Sequence, residues 1–500
     1  MLAGMKHSAT VVSRRVAPSV GSDGRPGPSP LSLLLAEHLG PEASQLPAAS
    51  GAWPFYEHVN IQTGVDRWLE EQPGQHRLVG LTGFRLRMFG LSDLCQPEGE
   101  YGVGLGGAAT VEVVAGPDGE TRSCVMCGLY LVADGPLRIA VLLRGSDQRG
   151  PQHDVALEVI ATDPAVARAV VSRIGQLAVE HSVYRGRVVS FQESPFAMRG
   201  GALVFHPRPR IERRDLVLPE GVLDGVEQQI YGVARHRRLL HAHGLHLKRG
   251  VLLYGAPGVG KTHTVRYLMS LLPESTVIVV SGDAMRFLTT ACSLARALQP
   301  VLLVLEDIDL IAQERSQRGP VSLLFQLLNE MDGVGEDVDV AFVLTTNRVD
   351  VLEPALASRP GRIDHAAELP LPDAEGRRRL LEIYRGSLDL DLTDVDGVVR
   401  RTEGMTASFL KELLRKAALV AADARYADAG SDADADANTN ADANANTDSA
   451  DTDGAEPPAT PLRVTDEHMH AALDLLLDSR NLVTRRLLGA AAESDRPQSS

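Results

Sequence analysis

The chain has 500 residues, 44% hydrophobic and 23% charged, which is globular make-up at a length suited to two to four domains. Its net charge of −15 gives no basic footprint for a nucleic-acid partner, and no apolar run approaches the length needed to span a membrane. Four cysteines, Cys95, Cys124, Cys127 and Cys292, make no disulfide framework. The N-terminus lacks an apolar signal core, so a reducing cytoplasmic setting is expected.

Residues 1–50, rich in Ser, Pro and Gly, predict a flexible segment with one helix-like patch, Leu31–Leu39. Residues 51–212 read as a separate α/β domain. Strand-like runs fall at Ala109–Val114, Cys124–Val132, Leu137–Leu143 and Val155–Ala161, parted by the turn signals Gly116-Pro-Asp-Gly119 and Asp134-Gly-Pro136. Asp163-Pro164 then starts a helix over 164–180, with Val166, Val170, Ile174 and Leu177 at helical spacing. A strand at Val188–Phe191 follows. Trp53, Phe55, Tyr56 and Trp68 read as core aromatics. Cys124 and Cys127 would face opposite sides of a strand, and no second Cys/His pair is suitably spaced, so they read as buried packing.

Residues 207–221 read as a linker, with a new unit expected over 213–372. Val222–His243 is helix-like, with Val222, Val226, Ile230 and Val233 on one face. The bases of Arg235–Arg238 and Lys248–Arg249 suit a solvated face or a face meeting a neighbouring subunit. Val251–Tyr254 is a buried-strand run. It leads into Gly255-Ala256-Pro257-Gly258-Val259-Gly260-Lys261-Thr262, which fits G-x-x-x-x-G-K-[ST]. Glycines let backbone N–H groups close on phosphate oxygens, because no Cβ blocks the approach. Lys261 brings a cation to the outer phosphates, Thr262 a hydroxyl for Mg²⁺, and the helix over Thr262–Leu272 its positive end. Residues Gly255 through His263 are thus the expected ATP-binding stretch.

A strand Thr276–Val280, a helix Asp283–Ala297 and a strand Val301–Leu305 come next, the last ending in Glu306-Asp307-Ile308-Asp309. Carboxylates at such a strand end, in a parallel-sheet pattern after a phosphate loop, suit Mg²⁺ binding by Glu306 and orientation of the attacking water by Asp307. A helix Val321–Met331 and a strand Val340–Thr345 lead to Asn347.

LLNEMDGV (327–334), TTNRVDVLEPAL (345–356), RPGRID (359–364) and ELPLPD (368–373) resemble the second region of homology of the narrow AAA clade within the AAA+ superfamily. The likeness runs from about Asp215 to Arg425 and resumes near Arg463. It implies a P-loop NTPase module, a parallel sheet between helices, followed by a helical lid over 373–490. It also implies that Asn347 is the polar residue placing the attacking water, and that Arg359 and Arg362 are arginine fingers reaching the nucleotide of the next subunit. A homohexamer follows from fingers acting in trans. Gly404-Met-Thr-Ala-Ser-Phe-Leu410 resembles the start of the lid's sensor helix, which carries Leu410, Leu413, Leu414, Ala417 and Ala421 on one face.

Three departures stand out. The family usually writes Asp-Glu where this chain has Glu306-Asp307, an inverted order similar to that of the AAA factors assembling respiratory complexes. Asp is a methylene shorter than Glu, and displacements of about 1 Å cost roughly 100-fold in rate. The Ser281–Pro300 stretch is short, with Phe287-Leu288-Thr289 the one aromatic candidate for a pore loop; core packing of Phe287 is the competing reading. Pro354 to Arg359 is one residue longer than the common spacing, which leaves open whether Arg359 or Arg362 is the main finger.

Residues 428–460 hold eight Asp, one Glu and no Lys or Arg. Such a segment buries too little apolar surface to order itself, and reads as a disordered insertion in the lid. The lid resumes at Val464 with Leu473, Leu476 and Leu477; residues 491–500 read as a tail. The resemblance implies an ATPase that remodels, unfolds or disassembles a protein client, bound through the N-terminal domain or the ring pore. Two alternatives stay open: a nucleic-acid-associated AAA+ ATPase and a slow ATP-dependent binding switch. No His-Glu-x-x-His occurs, which argues against a fused zinc protease.

Overall fold

The computed structural model describes residues 28–83, 89–97, 103–146, 154–193, 201–309, 329–331, 333, 335, 338–348, 363–436 and 461–478. They form two compact units. One runs to Arg208 and takes in Glu274–Leu303; the other holds Pro209–Pro273 and the chain from Val304.

The first unit opens with α1 (Pro30–Leu39), β1 (Ala49–Trp53), α2 (His58–Glu71), β2 (Gln75–Thr82), α3 (Leu91–Leu94), β3 (Gly104–Gly106) and β4 (Ala109–Val114). Then come β5 (Thr121–Asp134), β6 (Leu137–Arg144), β7 (Val155–Ala161) and α4 (Pro164–Glu180). These strands make an antiparallel sheet of order β1-β7-β6-β5-β2-β3, with β4 paired along the first half of β5. Gly135, at φ +53°, turns β5 into β6, and Asp134 pairs with Leu137 across the tight loop.

Both faces of this sheet are covered. Tyr130, Val132, Ile139, Val141 and Leu143 pack with α2 and α4, while Leu129, Leu131, Ala140 and Leu142 pack with α1 and α3. Two covered faces explain why β5 and β6 read as continuous apolar runs without polar alternation. The Asp163 carboxylate caps α4 by accepting from Ala165 N at 2.8 Å. Trp68 lies in the same core, with Trp53 packed against it.

The helix-like patch expected at Leu31–Leu39 is α1, and it packs in the first unit although the segment around it reads as flexible. Ser29 caps α1, and Leu31, Leu35 and Leu39, spaced one helical turn apart, are buried on the sheet. Cys124 and Cys127 are both buried, and burial pushes the Cys124 thiol up to about 12. Among the described residues no cluster of three metal ligands occurs.

β8 (Val188–Glu193) and β9 (Gly201–His206) form a hairpin that does not join this sheet. β8 instead pairs in parallel with a strand from residues 276–281. Both strands lie in the first unit with the strands before them, and the parallel partner of β8 is distant in sequence.

The chain then enters the second unit. The predicted helix Val222–His243 is built as α5 (Val222–Glu227), a π-helical turn (Gln228–Gly232) and α6 (Val233–Ala242). Leu223, Val226 and Ile230 are its buried residues. β10 (Arg249–Tyr254) and α7 (Lys261–Leu271) follow. The first unit receives β11 (Thr276–Ser281), a 3₁₀ turn (Gly282–Phe287), α8 (Leu288–Ala297) and the start of β12 (Val301–Glu306). Phe287 stacks on Phe191 with ring centroids 5.5 Å apart, which is packing within that unit and supports the core reading.

In the second unit β13 (Val340–Thr346) and β14 (His365–Glu368) flank β10 in parallel, and the end of β12 lies beside β13. The predicted helix Val321–Met331 lies outside the described residues but for its last turn. The C-terminal helical part comprises α9 (Ala374–Tyr384), β15 (Asp389–Asp391), α10 (Val395–Arg401), α11 (Ala407–Asp436), β16 (Arg463–Thr465) and α12 (Asp466–Leu477). Leu410, Leu413, Leu414, Ala417 and Ala421 of α11 are all buried, against Leu380, Val398, Met469 and Leu473. The first residues of the Asp-rich stretch extend α11 to Asp436; residues 437–460 lie outside the described set. β16 pairs in parallel with β15. No helix among the described residues is long and apolar enough to cross a membrane.

Candidate active site

β10 is buried from Val251 to Leu253 and delivers the phosphate loop at the C-terminal end of a parallel sheet. Its glycines are needed for shape. Gly255 has φ +145°, and a Cβ there would lie 2.3 Å from the Leu369 carbonyl oxygen. Gly258 has φ +82°, and a Cβ there would meet Ser408 and Thr406 at 3.0 Å. Val259 is buried and pegs the loop, while Ala256 and Pro257 are exposed.

Helix α7 starts at Lys261, and Thr264 N donates to Gly260 O at 2.9 Å as the first bond of the turn. The N–H groups of Lys261, Thr262 and His263 therefore have no acceptor within the helix. Together with the helix dipole they form an anion cradle.

Lys261 is buried. Its Nζ donates to Gly255 O and Ala256 O, both at 2.9 Å, and to Asn347 Oδ1 at 2.7 Å. Burial lowers its pKa, and the carboxylates of Asp307 and Asp309 oppose that. Asn347 Nδ2 donates to Asp307 Oδ1 at 3.4 Å, so one amide bridges the loop lysine and a strand-end carboxylate.

Asp307 sits at φ +53°, the left-handed region that Asp tolerates better than most residues. Thr345 secures this bend: its Oγ1 accepts from Asp307 N and its carbonyl from Ile308 N, both at 3.0 Å. Glu306 lies one residue earlier. Burial raises its pKa, while a hydrogen bond from the Thr262 hydroxyl lowers it. Its Oε1 is buried without a hydrogen-bond partner. An orphaned carboxylate oxygen beside a threonine hydroxyl is a hard-oxygen donor pair of the kind Mg²⁺ takes.

The C-terminal helical region reaches the same loop. Ser408, at the start of α11, donates from its backbone N to Gly258 O at 3.1 Å and from Oγ at 3.3 Å. The fold thus brings together Gly255 to His263, Glu306, Asp307 and Asn347. Arg359 and Arg362 lie outside the described residues. Sequence reasoning passed over Asp309, which is buried and accepts from Thr346 Oγ1 and from Asn347 N. Its place two residues after Asp307 was the one available signal.

Residues 251–371 match the family described as ATPase family associated with various cellular activities (AAA). The chain is 31% identical over 228 residues to the proteasome-activating nucleotidase of Thermococcus kodakarensis, covering 43% of this chain and 57% of that one. It is 32% identical over 199 residues to the 26S proteasome regulatory subunit 6B homolog of Dictyostelium discoideum, covering 37% and 49%. It is 34% identical over 188 residues to the 26S proteasome regulatory subunit 6A of Encephalitozoon cuniculi, covering 35% and 47%. The chain spans about half the length of the curated relatives it matches. This part of the molecule is an AAA-type P-loop domain with a helical C-terminal region.

Proposed function

We propose that the protein is a Mg²⁺-dependent ATPase that couples ATP hydrolysis to the unfolding, disassembly or remodelling of a protein client. The observation that carries this reading is the convergence of Lys261, the Thr262–Glu306 pair and the Asn347–Asp307 pair on one loop.

The cradle of N–H groups from Gly258 to His263 suits a triphosphate, and Lys261 suits its outer oxygens once it leaves the Gly255 and Ala256 carbonyls. Thr262 and Glu306 are the residues to hold Mg²⁺, whose chemistry is to neutralise phosphate charge. Asp307 orients the attacking water, and Asn347 fixes where Asp307 and Lys261 stand. Arg359 and Arg362 act on the nucleotide of a neighbouring copy in a homohexamer, where a guanidinium offsets charge developing on the transferred phosphoryl. The N-terminal α/β portion selects the client. Relatives named for proteasome activation and regulation favour a protein client over nucleic acid, as does the net charge of −15. The cytoplasm is the compartment this reading implies.

A slower variant, an ATP-dependent binding switch, is favoured by one observation: the shorter Asp307 side chain stands where the family places Glu, on a left-handed backbone.

The test is phosphate release by the purified chain. Lys261→Ala should bring turnover to background while leaving the melting curve folded, and unchanged hydrolysis would refute the assignment. Turnover that stays below about one per minute, with tight ATP-dependent client capture by Asp307→Asn, would select the switch.

A further inference from the structure

We propose that Asp309 is a positioning residue for hydrolysis: its carboxylate locks the end of β13 so that Asn347 holds Lys261 and Asp307 in register. The inference rests on the nucleotide-site reading above and adds a residue to it.

Asp309 is 5% exposed and follows the fully buried Ile308. A single oxygen, Oδ1, accepts from Thr346 Oγ1 at 3.0 Å and from Asn347 N at 3.1 Å. Thr346 Oγ1 in turn accepts from Arg348 N at 3.0 Å. One carboxylate oxygen therefore organises three consecutive residues where β13 leaves the sheet. Thr345 returns the connection by taking Asp307 N and Ile308 N. The ends of β12 and β13 are stitched in both directions, and the residues between the stitches are Asp307 and Asn347.

The geometry needs one side-chain oxygen that accepts from a backbone N–H and a hydroxyl at once, which a carboxylate oxygen supplies. A buried polar oxygen is costly unless bonded in this way. The Asn347 side chain has its oxygen on Lys261 and its amino group toward Asp307, so a shift of its backbone displaces both contacts together. Displacements of about 1 Å in such arrays cost roughly 100-fold in rate.

The experiment measures steady-state ATP hydrolysis, fluorescent-nucleotide binding and melting for the full chain carrying Asp309→Ala, Asp309→Asn, Thr346→Val and the Asp309→Ala/Thr346→Val pair. Asp309→Ala should lower kcat by about 10- to 100-fold with KM and nucleotide affinity held within about threefold. Asp309→Asn should stay within about fivefold of wild type, because its carbonyl oxygen accepts the same two bonds. Thr346→Val should show a smaller loss, and the double variant should be no slower than Asp309→Ala alone, since both changes break one unit. A carboxylate that served folding alone would lower the melting temperature without changing kcat per folded site.

Wild-type kcat in folded Asp309→Ala, or Asp309→Asn as slow as Asp309→Ala, would overturn the proposal. If Asp309→Ala does not fold, wild-type kcat in Thr346→Val together with an inactive Asp309→Asn overturns it equally. Hydrolysis lost in Lys261→Ala but indifferent to Asp309 removes this inference alone. A wild-type chain that does not hydrolyse ATP removes the site reading and this inference with it.

Discussion

Gly258 is a point where the phosphate loop touches the start of α11, and the sequence shows only half of the reason for it. The motif calls for small residues around phosphates, so Gly255 and Gly260 were legible as fixed positions, with Gly258 among the variable ones. The structure gives Gly258 a left-handed φ of +82° and puts Ser408 and Thr406 where a Cβ would go. Gly258→Ala should therefore cost about 1–3 kcal/mol from backbone strain and lower ATP turnover by pushing Ser408 off the Gly258 carbonyl. Ser408→Gly on top of it removes the Ser408 share of the crowding, leaving Thr406, and should recover part of the loss. Urea melts and phosphate release check both, and a Gly258→Ala protein matching wild type in each would refute the account. Lys261 stands out in the sequence through the phosphate-loop motif, Glu306 and Asp307 through their place at the end of an apolar strand run, and Asn347 through the family resemblance. Asp309 does not stand out, because its bond to Thr346 crosses 37 residues and appears only when β12 and β13 lie side by side.

At the scale of elements, legibility follows how cleanly one face is apolar. Helix α4 was predicted over its full length because Asp163 and Pro164 mark its start and its buried residues keep helical spacing. Helix α2 left no such trace: His58, Asn60, Gln62 and Thr63 are buried alongside Val59, Ile61 and Val65. These polar groups are satisfied one by one. Asn60 Oδ1 accepts from Val183 N at 2.9 Å, Gln62 Oε1 from Val125 N at 2.9 Å, and Thr63 Oγ1 donates to Val59 O at 2.7 Å. A helix that buries polar side chains by bonding them loses the stripe that sequence reading depends on. Glu57, at its entrance, accepts from Asn60 Nδ2 at 2.7 Å, yet burial still raises its pKa. The folded state then holds this proton to a higher pH than the unfolded chain does. Stability therefore falls as pH rises from the ordinary carboxylate pKa through the raised one, and the cost is fully present above it. Glu57→Gln should melt above wild type at neutral pH, with the difference closing toward about pH 4. Thermal denaturation across that range is the check; a constant difference, or a less stable variant throughout, would contradict it.

At the scale of the whole molecule, the first unit takes two separate stretches of the chain. Composition marked residues 207–221 as a passage between units, but nothing in it signals that residues 274–303 go back to the first. The returning stretch is an ordinary strand, helix and strand, tied to the first unit by the parallel pairing of β11 with β8, by Phe287 on Phe191 and by Arg185 donating to the Gln299 and Ala297 carbonyls. Assembly is read by the same kind of reasoning beyond one chain. We propose that the site is completed in trans by Arg359 and Arg362, which follow Asn347 in sequence. On that reading neither arginine serves its own subunit's nucleotide. Arg362→Ala should bind ATP nearly as wild type and hydrolyse it about 10³-fold more slowly, the scale of loss when such a finger is removed. A Lys261→Ala subunit keeps its fingers, and an Arg362→Ala subunit keeps its phosphate loop. When the two are co-assembled, some interfaces receive both intact parts, so the mixture should exceed the summed activity of the separate variants. The gain should peak at intermediate mixing ratios, where unlike neighbours are most frequent. Co-assembled mixtures that never exceed the sum, with shared oligomers demonstrated by differential tagging, would place the fingers in cis. Full activity from a monomer at every concentration would end the ring reading itself.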